Sequence, residues 1–434
     1  MFRAAINDLI KWKSKKNRKP LIIRGARQVG KTWLMKKFGN AEYEKTIYIS
    51  FDNNSQMKEL FEKDVRIDRI ITGIELYSGQ KIIPENTLLI FDEIQEIPQA
   101  LTALKYFNEN APEYNIICAG SLLGVALHKG ISFPVGKVEF MDLYPMSFYE
   151  FMQAMGKERF VELLKKRDFD MATTFKQEYI ELLKYYYYVG GMPEVVASFL
   201  ENKDFNEVRE IQKRILKAYE QDFSKHAPND AIPRIRMLWN NIPSQLAKEN
   251  KKFIYSHIKE GARAKDYEIA MLWLLDCGLV HKIHRVTLPK LPLKGYEDLK
   301  SFKLFFLDVG LLCCMVGLEQ SVLLNGNELF AGFKGALTEQ YVMQQLIISK
   351  KMTAYYWTNK QGSAEIDFLI DTGEKIVPVE VKAETNLKAK SLRTFYEKFN
   401  PVISVRTAML DYKKENWLLN LPLWAIETLE NEIL

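Results

Sequence analysis

Short apolar runs alternate with amphipathic segments over the first third of the chain. Each run is long enough for one buried strand, and each amphipathic segment has the apolar spacing of a helix packed on a sheet. The runs cover residues 21–23, 46–51, 87–91, 115–119 and 138–143. Strands that alternate with helices in this way predict an α/β domain built on a parallel sheet.

The pattern changes in the rest of the chain. Residues 146–250 have mostly helical periodicity, interrupted around residues 185–193, whereas residues 253–310 contain a helix, a strand, a basic loop and a second strand. That second order of elements is typical of a winged helix. An amphipathic helix over residues 335–348 is followed by two alternating segments, 364–370 and 376–382, which predict a strand hairpin.

Composition places the chain among ordinary proteins that fold in water. Its 434 residues are enough for two to four domains, and its net charge of +6 allows a DNA partner without requiring one. The four cysteines form no C-x-x-C pair, which favours reduced structural thiols. No signal-peptide pattern and no apolar run of about 18 residues is present, so we expect a cytoplasmic protein with no membrane association.

The segment after the first apolar run fits the phosphate-binding P-loop pattern G-x-x-x-x-G-K-[ST]. It consists of Gly25, Ala26, Arg27, Gln28, Val29, Gly30, Lys31 and Thr32. A strand before it and a helix after it direct backbone N–H groups toward a phosphate. Lys31 can reach the β- and γ-phosphates, and the Thr32 hydroxyl can bind Mg²⁺. The segment predicts a nucleoside triphosphate site.

The apolar run over residues 87–91 ends in Asp92 and Glu93, which is the Walker B pattern. Asp92 can hold Mg²⁺ directly or through water, and Glu93 is placed to polarise the attacking water. Ser121 follows the next strand. It is either a γ-phosphate sensor or a helix N-cap, and it can be both. Because no guanine-reading motif is present, we expect the nucleotide to be ATP, with Glu93, Ser121 and Lys31 as catalytic residues.

A second group of chemical residues lies on the predicted hairpin near the C-terminus. Glu380 and Lys382 share one strand face, and Asp367 can join them from the neighbouring strand. Glu339 lies on the preceding helix. Two carboxylates and a lysine on one face can bind Mg²⁺ and position a water for phosphodiester cleavage. A solvated strand face would produce the same alternation, so both interpretations stay open.

The winged-helix pattern also has two interpretations. Its basic residues would contact DNA if the helix and wing bind a duplex. These residues are Arg263, Lys265, Arg285, Lys290 and Lys294. Winged helices also serve as protein-binding or purely structural elements, and the sequence does not separate these roles.

Taken together, the motifs resemble a family of bacterial and archaeal AAA-like P-loop ATPases. The C-terminal domain of that family, formally of unknown function, belongs to the restriction-endonuclease-like superfamily. Besides the P-loop and Walker B segments, the resemblance rests on residues 119–124, 144–151, 190–194, 306–312, 335–339, 365–368 and 379–382. Many relatives carry Gly-Arg where this chain has Gly136-Lys137. That arginine is a candidate arginine finger or sensor, and because Lys137 lacks its bidentate fork, the sequence leaves open whether Lys137 takes over this role.

The resemblance implies an additional-strand, catalytic-glutamate P-loop domain followed by three further parts. The expected divisions are an ATPase domain at 1–155, a helical region at 156–250, a winged-helix-like segment at 251–318 and a restriction-endonuclease-like domain at 319–434. The resemblance also implies a nuclease-like site made of Glu339, Asp367, Glu380 and Lys382.

Two functions are compatible with these features. The first is an ATP-hydrolysing, Mg²⁺-dependent switch or motor that acts on DNA and carries a nuclease-like C-terminal domain. The second is an ATP-dependent switch that binds a protein partner and uses the nuclease-like domain as an inactive scaffold. Cleavage of DNA itself requires Asp367, Glu380 and Lys382 to converge.

Overall fold

The computed structural model describes residues 2–120, 134–246, 252–321, 331–359, 364–383 and 390–434, without the side chains of 331–333. These residues form two compact units. The smaller unit comprises Arg3–Tyr144 with Asp276–Leu279, and the larger one comprises most of Pro145–Leu434.

The smaller unit is a parallel sheet with helices packed against it. Its helices are α1 (Ala5–Lys13), α2 (Lys31–Glu42), α3 (Ser55–Lys63), α4 (Ile67–Ser78) and α5 (Pro98–Asn110). Its strands are β1 (Leu21–Arg24), β2 (Lys45–Ser50), β3 (Thr87–Asp92), β4 (Asn115–Gly120) and β5 (Glu139–Asp142). The strand order is β2-β3-β4-β1-β5, and every pairing is parallel. The predicted α/β class with a parallel sheet is confirmed.

Strand β4 lies between the two strands that precede the predicted nucleotide motifs. Ile22 of β1 pairs with Cys118, and Ile90 of β3 pairs with Ile117. Every residue of β3 and β4 is buried. A parallel strand covered on both faces favours apolar residues, which explains the apolar interiors of these strands at residues 88–91 and 116–119.

The larger unit begins with a helical stretch and ends with a mixed sheet. Its helices are α6 (Phe148–Ala154), α7 (Glu158–Lys165), α8 (Phe169–Thr174), α9 (Lys176–Val189), α10 (Pro193–Asn202), α11 (Phe205–His226), α12 (Ile232–Leu246), α13 (Ala264–Asp276), α14 (Val309–Met315), α15 (Ala331–Leu346), α16 (Lys390–Phe399) and α17 (Leu429–Ile433). Its strands are β6 (Val280–Val286), β7 (Glu297–Phe306), β8 (Thr353–Thr358), β9 (Glu365–Asp371), β10 (Ile376–Val381), β11 (Ser404–Ala408), β12 (Lys413–Lys414) and β13 (Leu418–Pro422).

The eight strands of this unit form one sheet in the order β12-β13-β11-β10-β9-β8-β6-β7. Strand β6 pairs in parallel with β8 through Arg285 and Val286. The sheet therefore runs across the expected division at 318 and 319, and the segment after α13 contributes strands to the same sheet as the C-terminal segment. The division into four domains stays a prediction.

Three buried glutamines of α15 hold the centre of the larger unit together. The Gln340 side chain bonds both the backbone N–H and the carbonyl of Phe306 at 2.7 Å. Gln344 accepts a hydrogen bond from the Val309 backbone and donates to Asp308. Gln345 accepts one from the Phe148 backbone. These amides satisfy backbone groups at strand and helix ends that would otherwise be buried without partners.

Among the residues that the structure describes, no helix is both long and apolar enough to cross a lipid bilayer.

Candidate nucleotide site and a buried carboxylate cluster

The loop between β1 and α2 has a backbone that only glycine allows at one position. Gly25 has φ +148°, and a Cβ built there would lie 2.2 Å from the carbonyl oxygen of Leu143. Gly30 has φ +93° and is the N-cap of α2. The two glycines let the chain wrap tightly before the helix begins, which exposes the first N–H groups of α2.

Lys31 lies inside this loop with only 6% of its surface exposed. Its ammonium group donates to the carbonyl oxygens of Gly25 at 2.8 Å and Ala26 at 2.7 Å. Burial lowers the pKa of Lys31 to about 8, although the carboxylates of Glu93 and Asp92 act in the opposite direction. The two carbonyl oxygens therefore hold the Lys31 ammonium at the loop, and the nearby carboxylates partly offset the cost of burying its charge.

The Thr32 hydroxyl and the Asp92 carboxylate meet at the start of α2 and the end of β3. Thr32 Oγ1 donates to Asp92 Oδ2 at 2.6 Å. The Tyr48 hydroxyl of β2 donates to the same oxygen at 3.0 Å. Asp92 is 5% exposed. Hydroxyl and carboxylate oxygens are the ligands that Mg²⁺ prefers, so this pair fits a magnesium ion beside a phosphate.

Glu93 follows Asp92 in a left-handed backbone conformation with φ +52°. Its backbone N–H donates to Asp92 Oδ1 at 3.1 Å, and its carboxylate accepts a hydrogen bond from Gln95 Nε2 at 2.6 Å. Non-glycine residues adopt this conformation rarely, and such residues concentrate at functional sites. The turn places the Glu93 carboxylate beside the end of β3.

The remaining predicted residues of this site differ in their surroundings. Gln28 is exposed and has φ +65°, Val29 is buried, and Arg27 is half-buried. Ser121 lies outside the described residues. Lys137 forms an ion pair with Glu109 at 2.8 Å.

Arg3 and Tyr48 were not found by sequence reasoning, although both contact the site. Arg3 is 4% exposed and donates to the carbonyl oxygens of Val29 at 2.9 Å and Tyr144 at 2.6 Å. No sequence signal marks this arginine. Tyr48 was detectable in principle, because its position in β2 turns its side chain toward the end of the neighbouring β3.

The second predicted group lies in the larger unit, on the sheet and on α15. Asp367 Oδ2 accepts a hydrogen bond from the backbone of Val381 at 2.8 Å, which joins β9 to β10. Glu380 Oε1 pairs with Lys382 Nζ at 3.0 Å. Burial opposes protonation of Lys382, but the charges of Glu380, Asp367 and Glu339 outweigh it and raise the pKa of this lysine. The four predicted residues therefore lie close enough to influence one another's charge.

Two further residues belong to this group and were not predicted. Lys303 of β7 is 1% exposed, and its Nζ lies 2.5 Å from Glu365 Oε1 and 3.7 Å from Glu339 Oε2. A lone lysine inside the apolar segment 302–306 was the available signal for a buried charge. We call Lys303, Glu339, Glu365, Asp367, Glu380 and Lys382 the carboxylate cluster.

The carboxylate cluster does not fit a divalent metal ion as it stands. Over the described ranges, no group of three Asp, Glu, His or Cys residues is arranged to hold one. The Lys303 ammonium instead lies between Glu365 and Glu339.

The basic residues of the segment that resembles a winged helix are mostly exposed. Arg263, Lys265, Lys290 and Lys294 are exposed, whereas Arg285 is half-buried and pairs with Asp298 at 2.6 Å. The exposed face of α13 also carries the apolar Ile269 and Leu272.

Three family comparisons match different parts of the chain. Residues 17–152 match a family described as an AAA domain. Residues 180–322 and 334–426 match two families described as domains of unknown function, DUF8612 and DUF4143. No curated protein matches the chain.

Solved structures with similarity to the chain include three proteins with low sequence identity. A Walker-type ATPase of Pyrococcus abyssi has a TM-score of 0.45 and 16% identity, with 73% of this chain and 95% of that chain covered. The Orc1 protein of Aeropyrum pernix, in complex with DNA, has a TM-score of 0.26 and 11% identity, with coverages of 73% and 92%. The Drosophila ORC, bound to DNA, has a TM-score of 0.29 and 12% identity, with coverages of 73% and 95%.

The AAA match spans the parallel sheet, the glycine loop and the Asp92–Glu93 turn described above. Residues 17–152 of this chain therefore form an AAA-like P-loop domain.

Proposed function

We propose that the chain binds ATP with Mg²⁺ at the loop 25–32 and hydrolyses it to ADP and phosphate. The observation that carries the proposal is the 2.6 Å contact between Thr32 Oγ1 and Asp92 Oδ2 beside the buried Lys31. These two oxygens come from different elements and form a Mg²⁺-type ligand pair at the N-terminus of α2.

Each residue of the site has a distinct part in this reaction. The N–H groups of the loop and the Lys31 ammonium bind the phosphates, which would replace the carbonyl oxygens of Gly25 and Ala26 as partners of that ammonium. Thr32 and Asp92 would hold the ion, which neutralises charge on the phosphates when bound. Glu93 accepts a hydrogen bond from the attacking water, and Gln95 positions the Glu93 carboxylate.

The test is Mg²⁺-dependent ATP hydrolysis by the wild type and by Glu93→Gln. We expect Glu93→Gln to lose about 100-fold or more of kcat while it still binds ATP, because only the water-polarising carboxylate is removed. The exposed Glu96 provides the matched control, and Glu96→Gln should hydrolyse ATP at the wild-type rate. Full activity in Glu93→Gln would contradict the assigned role.

We further propose that hydrolysis is coupled to a nucleic acid through the segment from α13 to β7, which would act as a winged helix. The order of helix, strand, loop and strand supports this, and so do the four exposed basic residues in the segment. The C-terminal part of the larger unit would then adopt the restriction-endonuclease-like fold, since Asp367 and Glu380 stand on adjacent strands.

A second candidate function is favoured by the exposed face of α13. Ile269 is 58% exposed and Leu272 is 49% exposed on this helix. Apolar side chains on an exposed helix face suit a protein partner better than a DNA backbone. In this function the ATP-dependent domain switches the binding of a protein, and the C-terminal domain is an inactive scaffold.

The two functions differ in how DNA affects ATP hydrolysis. Rates would be measured with and without duplex and branched DNA, and the incubated DNA would be run on a gel. Stimulation by DNA that is lost in a variant with Lys265 and Lys290 both changed to Ala supports the DNA-coupled switch. If neither DNA changes the rate of ATP hydrolysis and all DNA strands stay intact, the result supports the protein-binding switch.

A further inference from the structure

A lysine is buried where the carboxylates of the larger unit converge. Lys303 lies in β7 between Phe302 and Leu304, and its side chain is 1% exposed. Its Nζ lies 5.1 Å from the centre of the Tyr356 ring. An ammonium group removed from water to this extent is strongly unfavourable unless opposite charges surround it.

Those opposite charges come from three carboxylates on two elements, β9 and α15. Glu365 Oε1 of β9 lies 2.5 Å from Lys303 Nζ, and Glu339 Oε2 of α15 lies 3.7 Å from it. Burial opposes protonation of Lys303, but Glu339, Glu365 and Asp367 together outweigh it, and they raise the pKa of the lysine above its usual value. The surrounding carboxylates therefore favour the charged form of Lys303.

The carboxylate cluster as a whole has more acidic than basic side chains. Its four carboxylates belong to Glu339, Glu365, Asp367 and Glu380, and its two cations are Lys303 and Lys382. Glu380 is 3% exposed, and its Oε2 has no hydrogen-bond partner among the described residues. The cluster thus has the charge of a cation-binding site, and an unsatisfied oxygen remains inside it.

We propose that Lys303 is the built-in cation of the carboxylate cluster: its ammonium occupies the position between Glu339 and Glu365 that a divalent metal ion would need, so the wild-type cluster binds no such ion. The ammonium partly balances the buried carboxylates of Glu339 and Glu380 and the half-buried ones of Glu365 and Asp367, and it positions Glu339 and Glu365 as a bound metal would. Unlike a metal ion, the Lys303 ammonium is not a Lewis acid and does not lower the pKa of a bound water. It therefore cannot activate a water for phosphodiester cleavage. This proposal does not depend on ATP hydrolysis by the smaller unit.

The experiment replaces the cation and asks whether a metal takes its place. Lys303→Met keeps an unbranched side chain of similar length and removes the charge, which leaves Glu339 and Glu365 without their ammonium partner. Mn²⁺ would be titrated into the full-length protein without nucleotide, and free Mn²⁺ would be followed by electron paramagnetic resonance. We expect Lys303→Met to gain one Mn²⁺ site at least about tenfold tighter than any binding by the wild type.

Two further variants assign the new site to the cluster. The double variant Lys303→Met/Glu339→Gln should lose the Mn²⁺ binding that Lys303→Met gained. Any Mn²⁺ bound at the ATP site is the same in all variants, so it does not affect the difference between them. Lys282→Met is the matched control, because Lys282 lies over the Phe302 ring at 4.3 Å in the neighbouring strand. It should bind Mn²⁺ as the wild type does.

Several outcomes would overturn the proposal. One is a divalent ion bound by the wild type and lost in Glu380→Gln, since the cluster would then hold a metal together with Lys303. Another is a folded Lys303→Met protein with no additional Mn²⁺ binding. If Lys303→Met fails to fold alone, recovery of its circular dichroism with Mn²⁺ or with Glu339→Gln supports the proposal. Failure of both to restore the fold counts against it.

Discussion

Lys31 and Lys303 are both buried lysines, but their surroundings move their pKa values in opposite directions. At Lys31 burial prevails over the nearby Glu93 and Asp92 and lowers the pKa to about 8. At Lys303 the carboxylates of Glu339, Glu365 and Asp367 prevail over burial and raise the pKa. Lys31 can exchange its carbonyl partners for phosphate oxygens, whereas Lys303 is held by ion pairs with Glu365 and Glu339.

The low pKa of Lys31 predicts that nucleotide binding weakens in alkaline solution. The phosphates favour the charged lysine, so binding takes up a proton once the pH exceeds the pKa of the free protein. Above pH 8 the Kd for ATP should rise by up to about tenfold per pH unit. Isothermal titration between pH 7 and about 9.5 measures this.

Lys31→Arg is the control for this pH dependence, because arginine stays protonated throughout that range. Its Kd, whether tight or weak, should be flat with pH. A wild-type Kd that is equally flat would contradict the lowered pKa of Lys31.

A second prediction concerns the hydrogen bond from Tyr48 to Asp92. Tyr48→Phe removes a donor at 3.0 Å from the carboxylate oxygen that also accepts from Thr32. Without this bond the carboxylate is less well oriented, and we expect Mg²⁺-ATP affinity to fall by about three- to tenfold, equivalent to about 1 kcal/mol. Tyr43→Phe removes a comparable bond to Asn115 away from the site and should leave the affinity unchanged.

At the scale of elements, the turn after β1 has a tightly constrained backbone. Gly25 combines φ +148° with a Leu143 carbonyl oxygen at 2.2 Å from any added Cβ. The conformation and the close approach are separate reasons for glycine. Other glycines with positive φ, such as Gly79, have open space around the same position.

We therefore predict that Gly25→Ala and Gly79→Ala have different effects. Gly79→Ala should destabilise the protein by about 1 kcal/mol, the penalty for a left-handed alanine. Gly25→Ala must also displace the Leu143 carbonyl, and we expect a loss of at least about 3 kcal/mol together with loss of ATP binding. Denaturant unfolding and nucleotide titration measure both effects, and equal losses in the two variants would contradict this interpretation.

Helix α15 provides a second test at this scale. The Gln344 amide donates to Asp308 Oδ2 at 3.0 Å and to the Tyr186 hydroxyl at 2.9 Å, and it accepts from Val309 N. Gln344→Leu leaves these buried groups without that partner, and we expect a loss of about 2–4 kcal/mol in the free energy of unfolding. Gln177→Leu changes an exposed glutamine of α9 and should shift stability by less than about 0.5 kcal/mol.

At the scale of the whole molecule, the larger unit is defined by one sheet that collects strands from distant parts of the sequence. Strand β6 lies between β7 and β8, and it pairs antiparallel with the first and parallel with the second. The segment before residue 318 and the segment after it are therefore parts of one hydrogen-bonded structure.

A chain ended at residue 318 should fail to fold its larger unit. It would lack β8 on one edge of β6, and it would lack the α15 glutamines that bond the backbone of Phe306 and Val309. We expect the amides of β6 and β7 to lose hydrogen-exchange protection by several orders of magnitude. Full protection of these amides in the shortened chain would show that residues 252–318 fold independently.

Much of the smaller unit could be predicted from the sequence because its information is local. The P-loop is one continuous segment: its tight turn requires the glycines, and Lys31 and Thr32 follow directly at the start of α2, where phosphate and Mg²⁺ would be bound. The strands β3 and β4 are recognisable because burial on both faces favours the continuous apolar residues in their interiors, 88–91 and 116–119. The same reasoning missed Arg3, since the backbone carbonyls that this arginine contacts belong to distant segments.

The carboxylate cluster shows where such prediction ends. Alternation in β9 and β10 was enough to place Asp367, Glu380 and Lys382 on sheet faces, and helical periodicity was enough to place Glu339 on a helix. Lys303 and Glu365 come together only because β7 and β9 lie in the same sheet while α15 covers it. The local sequence pattern thus determined on which strand or helix each of these charged residues lies. Only the tertiary structure decided that an ammonium group lies among those carboxylates, because ion pairing depends on distances between segments that are far apart in the chain.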